Sequence, residues 1–400
     1  SDDGFTKNYQ VSHDEQKKLD FAAKFLVKKY STKIANVDHV ILPQFRDNED
    51  LDLELMLTGL RKKTDLLFNI TDLKIISDDI SDETDNIFWI SFIAYETDGN
   101  SFKSKGIIKD VSSFYFSAVI KAFHDADSEM KSSTYVNWDN VMLEHDFEKK
   151  DKVRRNFNFN TFYKLIPLRK DKEKKNKALD LFKAILENRR IEKSKLFDYF
   201  QELILCHYYE RYNSYTNIPK SSKDYFRKTV RDSVFKYHVF INVLKKLKVI
   251  NMEDPIAAPT DESVSKYDQA IQSFFSRMQL NSDQQAMFYL GRMLNAVEWI
   301  QIQKKIKKTV INKVKFNGME MGDIERLRKD LIEKARQHGQ IGKVIFTDRK
   351  FSELFDYNKW SQRPLDPNEA LFFLLTGYSF GISPKEVDEL QLVEQEINEE

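Results

Sequence analysis

Residues 87–108 read IFWISFIAYETDGNSFKSKGII, and this stretch decides the fold class. Its first nine residues are aromatic and β-branched, which suits a half-buried pleated strand. Thr97-Asp98-Gly99-Asn100 supplies turn residues, so residues 102–108 should return as the second strand of a hairpin. Towards the N-terminus, residues 37–42 end at Pro43, and residues 51–57 alternate acidic and apolar side chains. Both read as further strands. A helix is expected over residues 13–29, where Leu19, Phe21, Ala22, Phe25 and Leu26 recur at helical spacing between lysines.

In the other direction the period changes. Helical spacing returns at residues 113–123 and dominates from about residue 172. Ala178, Leu179, Leu181, Phe182, Ile185 and Leu186 form one apolar stripe; Leu196, Phe197, Phe200, Leu203, Ile204 and Tyr208 form the next. Val230, Val234, Val239, Ile241, Val243 and Leu244 form a third. Residues 251–265, with Pro255 and Pro259 among small polar residues, read as a linker. Beyond it, helices are expected over 268–280, 282–308, 322–338 and 368–380, with Ser282 and Asn368 as N-caps. The fold expected is therefore α+β: a mixed N-terminal region over residues 1–250 (itself composite, with a boundary near 160), then the linker, then a helical bundle over 266–400.

Composition removes several function classes. The chain has 400 residues with 64 Lys+Arg against 63 Asp+Glu, so no global field gathers phosphate and a nucleic-acid role must rest on local patches. The single cysteine, Cys206, allows neither a disulfide framework nor a CxxC zinc site, which fits a reducing, cytoplasmic compartment. No apolar run is of membrane-spanning length. Ser1-Asp2-Asp3-Gly4 has no initiator Met and no basic–apolar leader, so residues upstream are expected. Gly339-Gln340-Ile341-Gly342-Lys343 has the wrong spacing for a phosphate loop. His124-Asp125 and His145-Asp146 are His-Asp dipeptides of the kind that ligate metals in phosphohydrolases, but each reads more simply as a capping or solvated pair. Cys206-His207 reads as a buried thiol beside a surface histidine.

Two basic clusters remain. The first spans residues 164–195 and includes Arg169, Lys170, Lys174 and Lys175. The second is Lys304, Lys305, Lys307, Lys308, Lys313 and Lys315, with no acidic residue between Gln301 and Lys315. On a continuing helix Ile302, Ile306 and Val310 would share one sector and the lysines the opposite side, forming a cationic rail that can follow a phosphate backbone without reading sequence. The ordinary alternative is a solvated lysine face. The aromatic stripes (Phe182, Phe197, Phe200, Phe372, Phe373) read as core; Tyr209, Tyr212 and Tyr215 are the candidates for stacking on bases.

Phe288-Tyr289-Leu290-Gly291-Arg292, then Gln301 and Gln303, then Ile311-Asn312-Lys313-Val314-Lys315-Phe316-Asn317-Gly318-Met319, are similar to the C-terminal region of the type I-B CRISPR large-subunit family. Trp360, Glu369 and Phe372-Phe373-Leu374-Leu375-Thr376-Gly377-Tyr378 resemble that family's ending. The strand pair at residues 90–95, Phe102 and residues 108–111, with Phe157-Asn158-Phe159 and Ala184-Ile185-Leu186, also fits. The resemblance implies a subunit without catalysis or cofactor, working inside a guide-RNA complex with other subunits. It implies contacts with guide RNA, with target double-stranded DNA and with the displaced strand, and recruitment of a separate helicase-nuclease. Some family members carry cysteine pairs that suggest zinc; this chain does not. Two rival readings are a metal-dependent phosphohydrolase built on His124-Asp125 and a protein–protein scaffold that binds no nucleic acid.

Overall fold

The computed structural model describes residues 12–380, save 46–52, 69–87, 98–101, 134, 147–150, 173–175, 251–265 and 363. Helix α1 (His13–Lys29) opens with a capping box between Ser12 and Glu15. Strands β1 (Ser31–Ile34) and β2 (Val37–Phe45) follow, joined through Ala35 and Asn36 at φ 50° and 62°. Two successive left-handed residues are what a tight hairpin turn requires. Pro43 lies on β2 beyond the residues paired with β1, where its missing N–H costs no ladder bond.

Of residues 51–57, expected as a strand, 53–57 instead open helix α2 (Leu53–Phe68), whose Leu60 and Thr64 are buried four residues apart; 51 and 52 lie outside the described residues. The short alternation fits either period, and the apolar spacing after it decides for the helix. Strands β3 (Phe88–Thr97) and β4 (Phe102–Ser112) form the expected hairpin, whose turn residues 98–101 lie outside the described residues. The four strands make one antiparallel sheet in the order β1-β2-β3-β4, with Ile41 opposite Phe92 and Phe92 opposite Ile108. Ile90, Phe92, Ile108 and Val111 are buried beneath helix α3 (Ser113–Lys131).

Helix α4 (Trp138–Val141) and the hairpin β5 (Leu143–Asp146) and β6 (Asp151–Arg154) were not signalled by the sequence pattern. Asp127 of α3 anchors them: its buried carboxylate accepts from Trp138 Nε1 at 2.9 Å and Arg154 Nη2 at 2.8 Å. After α5 (Phe159–Tyr163) come α6 (Lys177–Leu186), α7 (Lys193–Tyr208) and α8 (Phe226–Lys246), matching the three stripes. The C-terminal part holds α9 (Lys266–Met278), α10 (Ser282–Gln303), α11 (Met321–Gln337), α12 (Gly342–Leu354), α13 (Tyr357–Gln362) and α14 (Pro367–Ser379). Helices α12 and α13 go beyond the four expected there, and the expected linker lies outside the described residues. The N-caps also shift. Asn281, reciprocated by Gln284, caps α10, and Asp366 caps α14, because their side chains reach the free first-turn amides.

Helix α14 ties the molecule together. It packs on α7, α8 and α10, with Phe372 against Phe197, Phe200, Tyr237 and His238. Against α10 the approach is close enough that Gly291 and Gly377 have no room for a side chain. Buried side chains form one connected core from Ile34 to Phe380.

Candidate nucleic-acid interface

The lysine-rich segment at 304–315 is not the helical rail that its spacing suggests. Helix α10 ends at Gln303, Lys304 caps it, and Lys305 turns left-handed at φ 53°. Lys305 N donates to Ile302 O at 2.8 Å and Ile306 N to Gln301 O at 3.0 Å. This is the paired-bond pattern that closes a helix C-terminus, here with lysine where glycine is usual. Two side chains of α10 then hold the returning chain: Gln301 Oε1 accepts from Val310 N at 2.7 Å, and Glu298 Oε1 accepts from Thr309 Oγ1 at 2.8 Å. Residues Val310–Lys313 form a short 3-10 turn.

All six lysines are exposed on this loop. Lys313 Nζ meets Asp330 Oδ2 at 2.8 Å and Lys315 Nζ meets Asp323 Oδ1 at 2.6 Å, so both are partly neutralised by α11. Lys304 reaches the His338 carbonyl at 3.5 Å; burial and then the charges of Lys304 and Lys334 lower the His338 pKa. Lys307 and Lys308 have no ion-pair partner among the described residues. The cations stand at the negative end of the α10 dipole, which offsets part of their mutual repulsion.

The first basic cluster is more thoroughly paired. Arg169 makes a two-pronged bond to Asp171 (2.9 and 2.7 Å), which raises its pKa. Lys177 meets Glu202, Lys183 meets Glu187 and the Ile107 carbonyl, and Arg189 meets Glu187. Lys170 is exposed beside Arg169. Lys174 and Lys175 lie outside the described residues. Arg169 also lines a cleft of about 630 Å³ between the β1–β2 turn and α7, whose wall includes Lys177, Arg211, Asp198 and Glu202.

The remaining sequence candidates are scattered through the fold. His124 Nδ1 lies 3.7 Å from Asp125, which also takes Lys121 at 3.0 Å, and no group of three potential metal ligands occurs among the described residues. His145 falls on β5 rather than in a loop. His207, expected at the surface, is buried, lies 3.1 Å from the Tyr212 hydroxyl, and is pushed by burial down to about 4. Burial raises the Cys206 thiol to about 12, which keeps it protonated and unreactive. Of the stacking candidates, Tyr212 and Tyr215 are buried, whereas Tyr209 is exposed with Arg211 over its ring.

Sequence spacing could not bring out a buried cluster under the lysine loop, because its members come from four separate segments. Glu298 accepts from Tyr378 Oη, Thr309 and, at 3.5 Å, Arg227, whose guanidinium lies 5.3 Å from the Tyr378 ring centre.

The architectural motifs find their counterpart among known families. No curated protein matches the chain. Family models for the CRISPR-associated protein TM1802 match twice: the central domain over residues 1–111 and the C-terminal domain over residues 157–385. The second match contains α6 to α14, the lysine loop and the α10–α14 glycine contact; the first contains β1 to β3 and all but the last residue of β4. The chain belongs to the CRISPR-associated TM1802 family.

Proposed function

We propose that this chain is a non-catalytic large subunit of a type I-B, guide-RNA-directed DNA surveillance complex, and that it grips a nucleic-acid strand through the loop after α10. The observation that carries the reading is the exposed run Lys304, Lys305, Lys307 and Lys308, which α10 presents at its end with no acidic side chain in the segment. Lys313 and Lys315 extend it, but phosphate must there compete with Asp330 and Asp323. Arg169, Lys170, Lys174 and Lys175 form a second, weaker contact, since Asp171 already occupies Arg169. Such a surface tracks backbone charge and leaves sequence reading to guide pairing. The partners in this reading are guide RNA, target duplex and displaced strand, the other subunits, and a recruited helicase-nuclease.

The test replaces Lys304, Lys305, Lys307 and Lys308 together by Glu and measures single-stranded DNA affinity against salt. Binding should weaken at every sequence, and the slope of log affinity against log salt should flatten by up to about 3. A double Lys313→Glu, Lys315→Glu variant should lose less. An unchanged slope in the fourfold variant would remove the loop from the interface.

A further inference from the structure

Beside the lysine loop the surface opens into a cleft of about 280 Å³ between the end of α7, the start of α8 and residues 302–312. That is just below the usual size of small-molecule pockets, ~300–1,000 Å³, and suits one base with its sugar but not an oligomer. Tyr208 and Phe226 form an aromatic corner, with ring centres 5.5 Å apart and planes at 65°. Asn312 Oδ1 accepts from Tyr208 Oη at 2.9 Å and fixes that ring. Ile306 closes the apolar side. Arg227, only 8 % exposed, and Tyr378 form its floor, the guanidinium 5.3 Å from the ring centre. At the rim stand Lys223 and Lys307, neither of them ion-paired among the described residues.

We propose that the cleft receives one unstacked nucleobase of a single strand, with the adjoining phosphates on Lys223 and Lys307. The inference rests on reading the lysine loop as a nucleic-acid contact. A phosphate inside the cleft is disfavoured, because the Glu298 and Asp224 carboxylates line it. A base, being neutral, meets aromatic and aliphatic walls. The loop thus grips the backbone while the cleft fixes where along the strand it sits.

The experiment compares a single-stranded DNA of natural bases with a strand of the same length built from stable abasic residues. Both carry the same phosphates. The wild-type chain should bind the natural strand about tenfold more tightly, the scale of a single base stacked on an aromatic side chain. Tyr208→Leu, which removes an aromatic wall of the cleft, should erase that preference in the folded variant while the salt slope stays unchanged. Equal binding of both strands by the wild type would overturn the base pocket and leave the phosphate contact standing. A preference that survives Tyr208→Leu would likewise overturn it. If neither strand binds, the lysine-loop reading fails and the pocket falls with it.

Discussion

His238 packs between Phe274, Phe372 and Phe373, with Nε2 2.9 Å from Thr376 Oγ1. Burial, and secondarily the charge of Lys245, push it down to about 3. The folded chain therefore keeps this ring neutral, whereas the unfolded chain takes up a proton below about pH 6.5. Its stabilising contribution is complete above that value and is lost as pH falls towards 3, at no more than ~1.4 kcal/mol per pH unit. Denaturant titrations between pH 7 and 5 should show this slope, and His238→Gln should remove one proton's share of it. His207, lowered to about 4, adds a second share that survives the substitution. Sequence fails most at this scale. Asn281 and Ser282 are equally good caps on paper, and only the hydrogen bond from Gln284 N to Asn281 Oδ1 separates them. Lys305 carries no mark of its left-handed backbone, because a non-glycine closure of a helix looks like more helix. Pairing is equally hidden: Arg169 and Lys177 look as free in the sequence as Lys307.

Helices α10 and α14 cross at two glycines. A Cβ on Gly291 would lie 1.9 Å from Leu374 O, and one on Gly377 would lie 1.8 Å from Phe288 O. Alanine favours an isolated helix by about 1 kcal/mol over glycine, so local propensity argues for substitution. The contact argues the other way and wins, since the clash is with backbone that cannot step aside. Gly291→Ala or Gly377→Ala should each cost roughly 3 kcal/mol or more in chemical denaturation. A loss under 1 kcal/mol would mean that the helices stand further apart. The elements themselves were largely legible, because long segments repeat their period many times; α7, α8 and the β3–β4 hairpin follow their apolar stripes. The short ones were not: four residues of β5 offer too few positions to distinguish a strand from a loop, and residues 51–57 fit two periods at once.

Across the whole molecule, α14 lies against α7, α8 and α10 together, so helices on either side of residues 251–265 share one buried surface. A specific protease site placed within 251–265 should therefore yield two fragments that still elute together in gel filtration. Separate elution would make the α14 contacts too weak to join them. Charge at this scale was readable only in part. The even balance of acids and bases moved attention to local runs, while the cleft beside Lys307 draws on α7, α8 and the loop after α10, which no spacing rule connects. The place of α14 also bears on how the chain is made. Phe197 and Phe200 leave the ribosome first, and the helix that covers them arrives more than a hundred residues later. At ~5–20 residues per second, that greasy surface waits roughly ten to thirty seconds for its lid. Chaperone demand during synthesis should therefore fall on α7 and α8, and a transcript cut short before α14 should give an aggregating product.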